Sequence, residues 1–176
     1  MKTSSPRAGA ASRSGIKTEK AAISLKAHSS IKSSNEVFFN VFRMAPNDFI
    51  REVRRGTRAK EIGVVAKALG VPDTRYVDML GLTRSTFNRK VKADEVLDRN
   101  QSERHMRVMR MVGQLTGLIK EFGDPKGFDA AQWFGAWIEQ PNPALGNAKP
   151  AEYLDTAMGA DVVEATLQRM FSGAYA

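Results

Sequence analysis

The residues best equipped for chemistry in this 176-residue chain lie in the run PDTRYVDMLGLTRSTFNRKV, residues 72–91. Asp73 is placed to cap a short helix that buries Tyr76, Val77 and Leu80. Gly81 then supplies a turn, Leu82 anchors it, and Thr83 caps a second helix carrying Phe87 and Val91. Two short helices crossing steeply through a Gly-containing turn of about three or four residues make a helix-turn-helix. On the second helix Arg84, Ser85, Asn88 and Arg89 point away from the core, with Thr83 and Lys90 within reach of a nucleic-acid backbone. These are the side chains that read major-groove edges: Arg for guanine, Asn for adenine, Ser or Thr for either edge or a phosphate. A solvated helix face carries the same residue types, but the turn spacing and the basic surroundings favour operator DNA. One position departs from the usual pattern: Val77 stands four before the turn glycine, where a small Ala is frequent.

Other chemistries find little support. The chain has no cysteine, which excludes thiolate nucleophiles and cysteine zinc sites. His28 and His105 are its two histidines and stand far apart, so neither a Ser-His-acid arrangement nor a multi-histidine metal site can be assembled. No phosphate-binding glycine motif occurs. Glu121 and Asp124 are paired carboxylates beside a helix stop, a position where acidic groups are ordinarily solvated. We expect a protein that is not an enzyme and holds no cofactor or metal.

The net charge of +8 is unevenly spread. Residues 1–35 carry seven Lys/Arg against Glu19 alone, residues 36–120 carry seventeen against ten acids, and residues 121–176 carry three against eight. A basic middle with an acidic end fits a polyanion-binding segment joined to one that docks a different partner. The first 35 residues have only Ile16, Ile23, Leu25 and Ile31 as large apolar groups, so we expect a mobile basic tail. Its composition is also that of an organelle transit peptide. No apolar run reaches the roughly 18 residues a membrane span needs, and no secretory core is present; the expected location is the cytoplasm.

The elements that must position these groups are helical throughout. Asn35 is a candidate N-cap for a helix over residues 36–44, and Pro46-Asn47-Asp48 starts a second that stops at Gly56. Lys60 to Leu69 forms a third, closed by Gly70 and Pro72. After the acidic link of Asp94, Glu95 and Asp98, Asn100 and Glu103 have capping-box spacing for a long helix to Phe122. Val108, Val112, Leu115, Ile119 and Phe122 make its apolar stripe, while Arg104, Arg107 and Arg110 form a solvated face. At about 1.5 Å per residue it spans roughly 33 Å, enough to join two units and carry a dimer seam. Beyond Gly123 and Asp124-Pro125, Asp129 caps a helix with Gln132 as capping-box partner and Phe128 stapled onto Trp133. That helix must end before Pro141. The loop from Gln140 to Lys149 is braced by Pro141 and Pro143, Pro150 opens a short helix ended by Gly159, and a last helix carries Val163, Leu167 and Met170 before Gly173.

Taken together, residues 46–176 resemble the Xre-MbcA-ParS antitoxins. The resemblance rests on Gly81 to Lys90, on Ser102-Glu103-Arg104, and above all on Ala131, Trp137, Ile138, Pro141-Asn142-Pro143, Leu145-Gly146, Pro150, Leu154, Gly159, Val163, Leu167 and Gly173. Asn147-Ala148-Lys149 departs from the Gly-Arg-Thr that is commoner there. The resemblance assigns toxin binding to the last of the four parts expected of this all-α chain: tail 1–35, helix-turn-helix domain 36–99, linking and dimerisation helix 100–123, and toxin-binding domain 124–176. It further implies an antitoxin whose partners are a RES-domain toxin that consumes NAD or transfers ADP-ribose from it, its own operator DNA, and a second copy of itself. From the apolar, proline-braced surface beside an aromatic terminus we expect Trp137, Asn142, Leu145, Gly146, Asn147, Lys149, Tyr153 and Tyr175 to face the toxin, with the loop and residues 174–176 blocking its active site. A transcriptional regulator whose C-terminal domain serves only for dimerisation or for another ligand would share much of this sequence pattern, and an adaptor without DNA binding is a third reading.

Overall fold

A computed structural model describes residues 34–123 and 126–172. Residues 1–33 of the basic tail expected over 1–35, Asp124-Pro125 and the segment from Gly173 through Tyr175 to the end lie outside the described residues, while Ser34 and Asn35 are helical and belong to the first helix. The fold is all-α. In order come α1 (helical over residues 34–42), α2 (Pro46–Arg55), α3 (Glu61–Leu69), α4 (Asp73–Met79), α5 (Arg84–Lys92), α6 (Arg99–Phe122), α7 (Ala130–Ile138), two 3-10 turns (Pro143–Leu145 and Pro150–Tyr153) and α8 (Ala157–Phe171). An isolated antiparallel bridge, Arg58 with Val96, is the only β pairing among the described residues.

One buried cluster runs through these elements. It joins Phe38 of α1, Ile62, Val65 and Leu69 of α3, Tyr76 and Val77 of α4, Val108, Val112 and Leu115 of α6, Phe134 and Ile138 of α7, and Val163 and Leu167 of α8. Helix α6 is the spine, packing against α2, α7 and α8, while α7 lies on α3. The α3–α7 crossing is close because Gly135 has no side chain: an added Cβ would overlap the Leu69 carbonyl.

Several local signals act differently from expectation. Asn35 is not an N-cap but already helical, and its Nδ2 donates to the Phe128 carbonyl at 3.2 Å. Pro72 occupies the N-cap of α4, so Asp73 is the first helical residue and makes no side-chain cap. The capping box of α6 is Asp98 with Gln101, two residues earlier than Asn100 with Glu103. Asp129 does cap α7, accepting from the Ala131 and Gln132 amides at 3.1 Å. Gln132 does not return the bond: its side-chain amide lies against the end of α3, with Oε1 beside Gly70 and Nε2 donating to the Ala68 carbonyl. Gly159 ends nothing. It lies in the first turn of α8, where its amide caps onto Thr156 Oγ1 at 3.0 Å and an added Cβ would strike the Tyr153 carbonyl. Val91 and Phe122, expected inside, are 37% and 78% exposed, each on the last turn of its helix.

Candidate functional site

Helix α5 is held shallowly. It has no fully buried residue; half-buried Phe87 packs on the core, and Leu82 lies beneath the turn. Gly81 takes the left-handed φ of 67° that the turn demands, a conformation glycine adopts without penalty. The turn carbonyl of Leu80 accepts from Arg104 Nη1 of α6 at 2.6 Å. Arg104 is therefore a brace for the helix-turn-helix and not part of a solvated face.

Of the six expected DNA-facing residues, Thr83, Arg84, Ser85, Asn88 and Arg89 are exposed on one end and side of α5. Thr83 Oγ1 accepts from the Thr86 amide, capping the helix as the sequence indicates. Arg84 reaches Asp78 at 3.4 Å. Lys90 is separated from this group: its side chain is 14% exposed and its Nζ donates to the Val96 carbonyl at 2.8 Å. Arg89 meets Glu95 at 2.6 Å, and Asp94 holds Arg58 and Lys60, each at 2.9 Å. Those two cations were not singled out from the sequence, because only the fold brings residues 57–60 beside the end of α5.

The other face is built on α7. Trp133 and Trp137 stack with rings 6.1 Å apart and 9° from parallel, and Phe171 of α8 closes on Trp133 at 5.9 Å. Beyond α7 the loop is organised by Asn142. Its Oδ1 accepts from the Ala144 amide at 2.9 Å, its carbonyl accepts from the Leu145 and Asn147 amides at 2.9 Å, and its own amide donates to Ala148. Gly146 and Asn147 both adopt left-handed φ, 65° and 66°, which Gly and Asn tolerate best. Gly146 and Asn147 are exposed, while Trp137, Asn142, Leu145, Lys149 and Tyr153 are half-buried.

Lys149 is tied down at the loop's end. Glu139 accepts a bidentate pair from Arg75 of α4, 2.6 Å from Nε and 3.2 Å from Nη2, and Lys149 Nζ approaches at 3.5 Å. Burial acts to raise the Glu139 carboxyl, yet the bonds and charges of Arg75 and Lys149 outweigh it and hold the group below its ordinary range. The bond to Glu139 likewise raises Arg75 above its ordinary value. A second tie joins α6 to α8: Arg107 donates to the Ala157 carbonyl at 3.0 Å and to Asp161, and lies 3.5 Å from Glu164. Asp161 and Glu164 therefore serve as partners of Arg107 and not as first-turn acids, since α8 starts at Ala157 and its first turn carries no acidic residue.

His105 of α6 faces the core. It is fully buried, with Nδ1 3.1 Å from the Tyr76 hydroxyl and Nε2 without a partner. Burial pushes its pKa down to about 4 and raises that of Tyr76. Among the described residues no cluster of acids and histidines suits a metal ion, and no helix is long and apolar enough to cross a membrane.

Comparison with known proteins divides the chain along the same two faces. Residues 48–110 match the antitoxin Xre-like helix-turn-helix domain, and residues 122–173 match the antitoxin Xre/MbcA/ParS C-terminal toxin-binding domain. The chain is also similar to Prs ADP-ribosylating antitoxin of Sphingobium sp. (strain YBL2), 36% identical over 136 residues that cover 77% of this chain and 86% of that protein. A braced helix-turn-helix, a tryptophan-stacked helical unit with a self-bonded loop, and these matches across both lead to one assignment: the chain belongs to the Xre/MbcA/ParS antitoxin family.

Proposed function

We propose that this protein binds a RES-domain toxin that consumes NAD, silences it by lying across its NAD site, and represses its own operon in the cytoplasm by binding operator DNA as a dimer. The observation that carries the toxin half is the loop after α7: rigidly self-bonded around Asn142, projecting Gly146 and Asn147 into solvent, and rooted on the Trp133–Trp137 stack. A segment already ordered pays little conformational entropy on insertion into an enzyme cleft. The acidic balance of residues 121–176 suits a basic partner surface. The relative's name joins antitoxin with ADP-ribosylating, which supports an NAD-using toxin as the partner class.

Trp137, Asn142, Leu145, Gly146, Asn147, Lys149 and Tyr153 are the proposed toxin-facing set, with Tyr175 and its neighbours as the terminal contribution. The test is co-purification with a RES-domain toxin followed by an NAD-consumption assay on the complex. Suppression that survives deletion of residues 174–176 but is lost when residues 143–147 are replaced by a flexible Gly/Ser segment assigns the blocking role to the loop. Suppression that survives both changes removes this surface from the mechanism.

A further inference from the structure

Two carboxylates at the end of α5 occupy the cations that a DNA backbone would need. Asp94 lies 2.9 Å from both Arg58 Nη1 and Lys60 Nζ, and Glu95 lies 2.6 Å from Arg89 Nη1 and 3.7 Å from Lys90 Nζ. All but Lys90 are more than a third exposed, so each pair sits where a phosphate could approach.

Nor is the arrangement a chance meeting of mobile side chains. The backbone carrying both acids is clamped to the segment carrying the first two cations. The Ala59 amide donates to the Glu95 carbonyl at 3.0 Å, and the Leu97 amide donates to the Thr57 carbonyl at 2.8 Å. Ser102 of α6 locks the same junction, its hydroxyl accepting from the Thr57 amide at 3.0 Å. Asp94 itself takes a left-handed φ of 50°, unusual for a side chain other than Gly, Asn or Asp, which aims it back toward residues 58–60.

We propose that Asp94 and Glu95 act as built-in competitors of the DNA phosphates. They hold Arg58 and Lys60 in pairs that must be exchanged for phosphate contacts, and Arg89 in a pair that only DNA contact releases, so that backbone attraction alone gives weak binding and base contacts by α5 decide where the protein stays. Exposed pairs of this kind add little to folding stability, so the exchange is easy and stability is not their role. Phosphate contacts supply nearly all non-specific affinity, whereas base-edge contacts supply discrimination. Arg58 and Lys60 stand outside α5, so masking them weakens backbone attraction without taking up a base-reading side chain, which raises the ratio of operator to random binding. This rests on the DNA-binding half of the proposed function.

The experiment measures binding of the full chain to operator and to a random duplex of equal length by fluorescence anisotropy across a salt series. Wild type is compared with Asp94→Asn, Glu95→Gln and their combination. Asn keeps the left-handed backbone at position 94, and thermal melts confirm that the variants fold. Glu121→Gln, at the far end of α6, removes one charge remote from α5 and serves as control. The expected result is random-duplex affinity raised by about threefold or more per substitution at about 100 mM salt, a salt slope steeper by about one per carboxylate removed, and a smaller gain on the operator. Folded variants that bind random DNA like wild type, or a control that gains as much as they do, would overturn the inference. A wild type that binds neither duplex would instead refute the DNA-binding reading on which it rests.

Discussion

At the scale of single residues, His105 makes the folded state sensitive to acid. Its pKa is depressed from 6.5 to about 4 by burial, so below pH 6.5 the unfolded chain takes up a proton that the folded chain refuses. Stability contributed by the neutral imidazole is complete above about pH 6.5, falls as the pH drops, and levels near pH 4. The loss from this residue is up to about 3 kcal/mol. Urea titrations between pH 7 and 4 measure it, and His105→Gln, which cannot titrate, should flatten the profile by a similar amount. An unchanged profile would mean that other groups set the acid sensitivity. On α5, Asn88→Ala and Arg89→Ala should each cost about 1–3 kcal/mol of operator affinity if the residue reads a base. Anisotropy on operator and base-substituted duplexes would reveal loss confined to one position, and equal loss on every sequence would demote the residue to a phosphate contact. These surface residues were readable because a capping threonine, a turn glycine and a following leucine fix which side of a short helix is left outside. The role of His105 was not, because whether a lone histidine on an amphipathic helix faces solvent or core depends on the element across from it, here Tyr76 of α4.

Helices meet in this fold through missing side chains and through arginines that reach across. Gly135 lets α7 rest on the end of α3, and Gly135→Ala should destabilise the protein by about 1–3 kcal/mol or more, since backbone rather than a pliable side chain stands in the way. Thermal denaturation provides the measure; a melt within error of wild type would show that α7 can shift without loss. The bidentate Arg75–Glu139 pair, partly screened from solvent, joins α4 to the end of α7. Helix type and order were legible because prolines and glycines punctuate a 3.6-residue apolar period. Cap details were less so: Asp98 and Gln101 offer the same capping box as Asn100 and Glu103, and only the packed start of α6 chooses between them. Gly159 reads as a stop in sequence because a helix-ending glycine and one admitting a close backbone contact look identical until the Tyr153 carbonyl is placed. Arg104 and Arg107 recur on the polar side of α6, yet the fold turns them against the Leu80 and Ala157 carbonyls.

For the whole molecule, a basic helix-turn-helix and an acidic, tryptophan-built unit share one core along α6, and the family's two domains map onto them. The uneven charge along the chain foreshadowed that division, whereas the continuity of the core did not, because α3–α7 and α6–α8 contacts join residues far apart in sequence. In the proposed function this antitoxin silences an NAD-consuming toxin through the loop after α7. The most direct test is NAD turnover by a purified RES-domain toxin titrated with this protein. Turnover should fall to background near a fixed stoichiometric ratio and be restored when residues 143–147 are made flexible; turnover that persists at excess wild-type protein would contradict this mechanism.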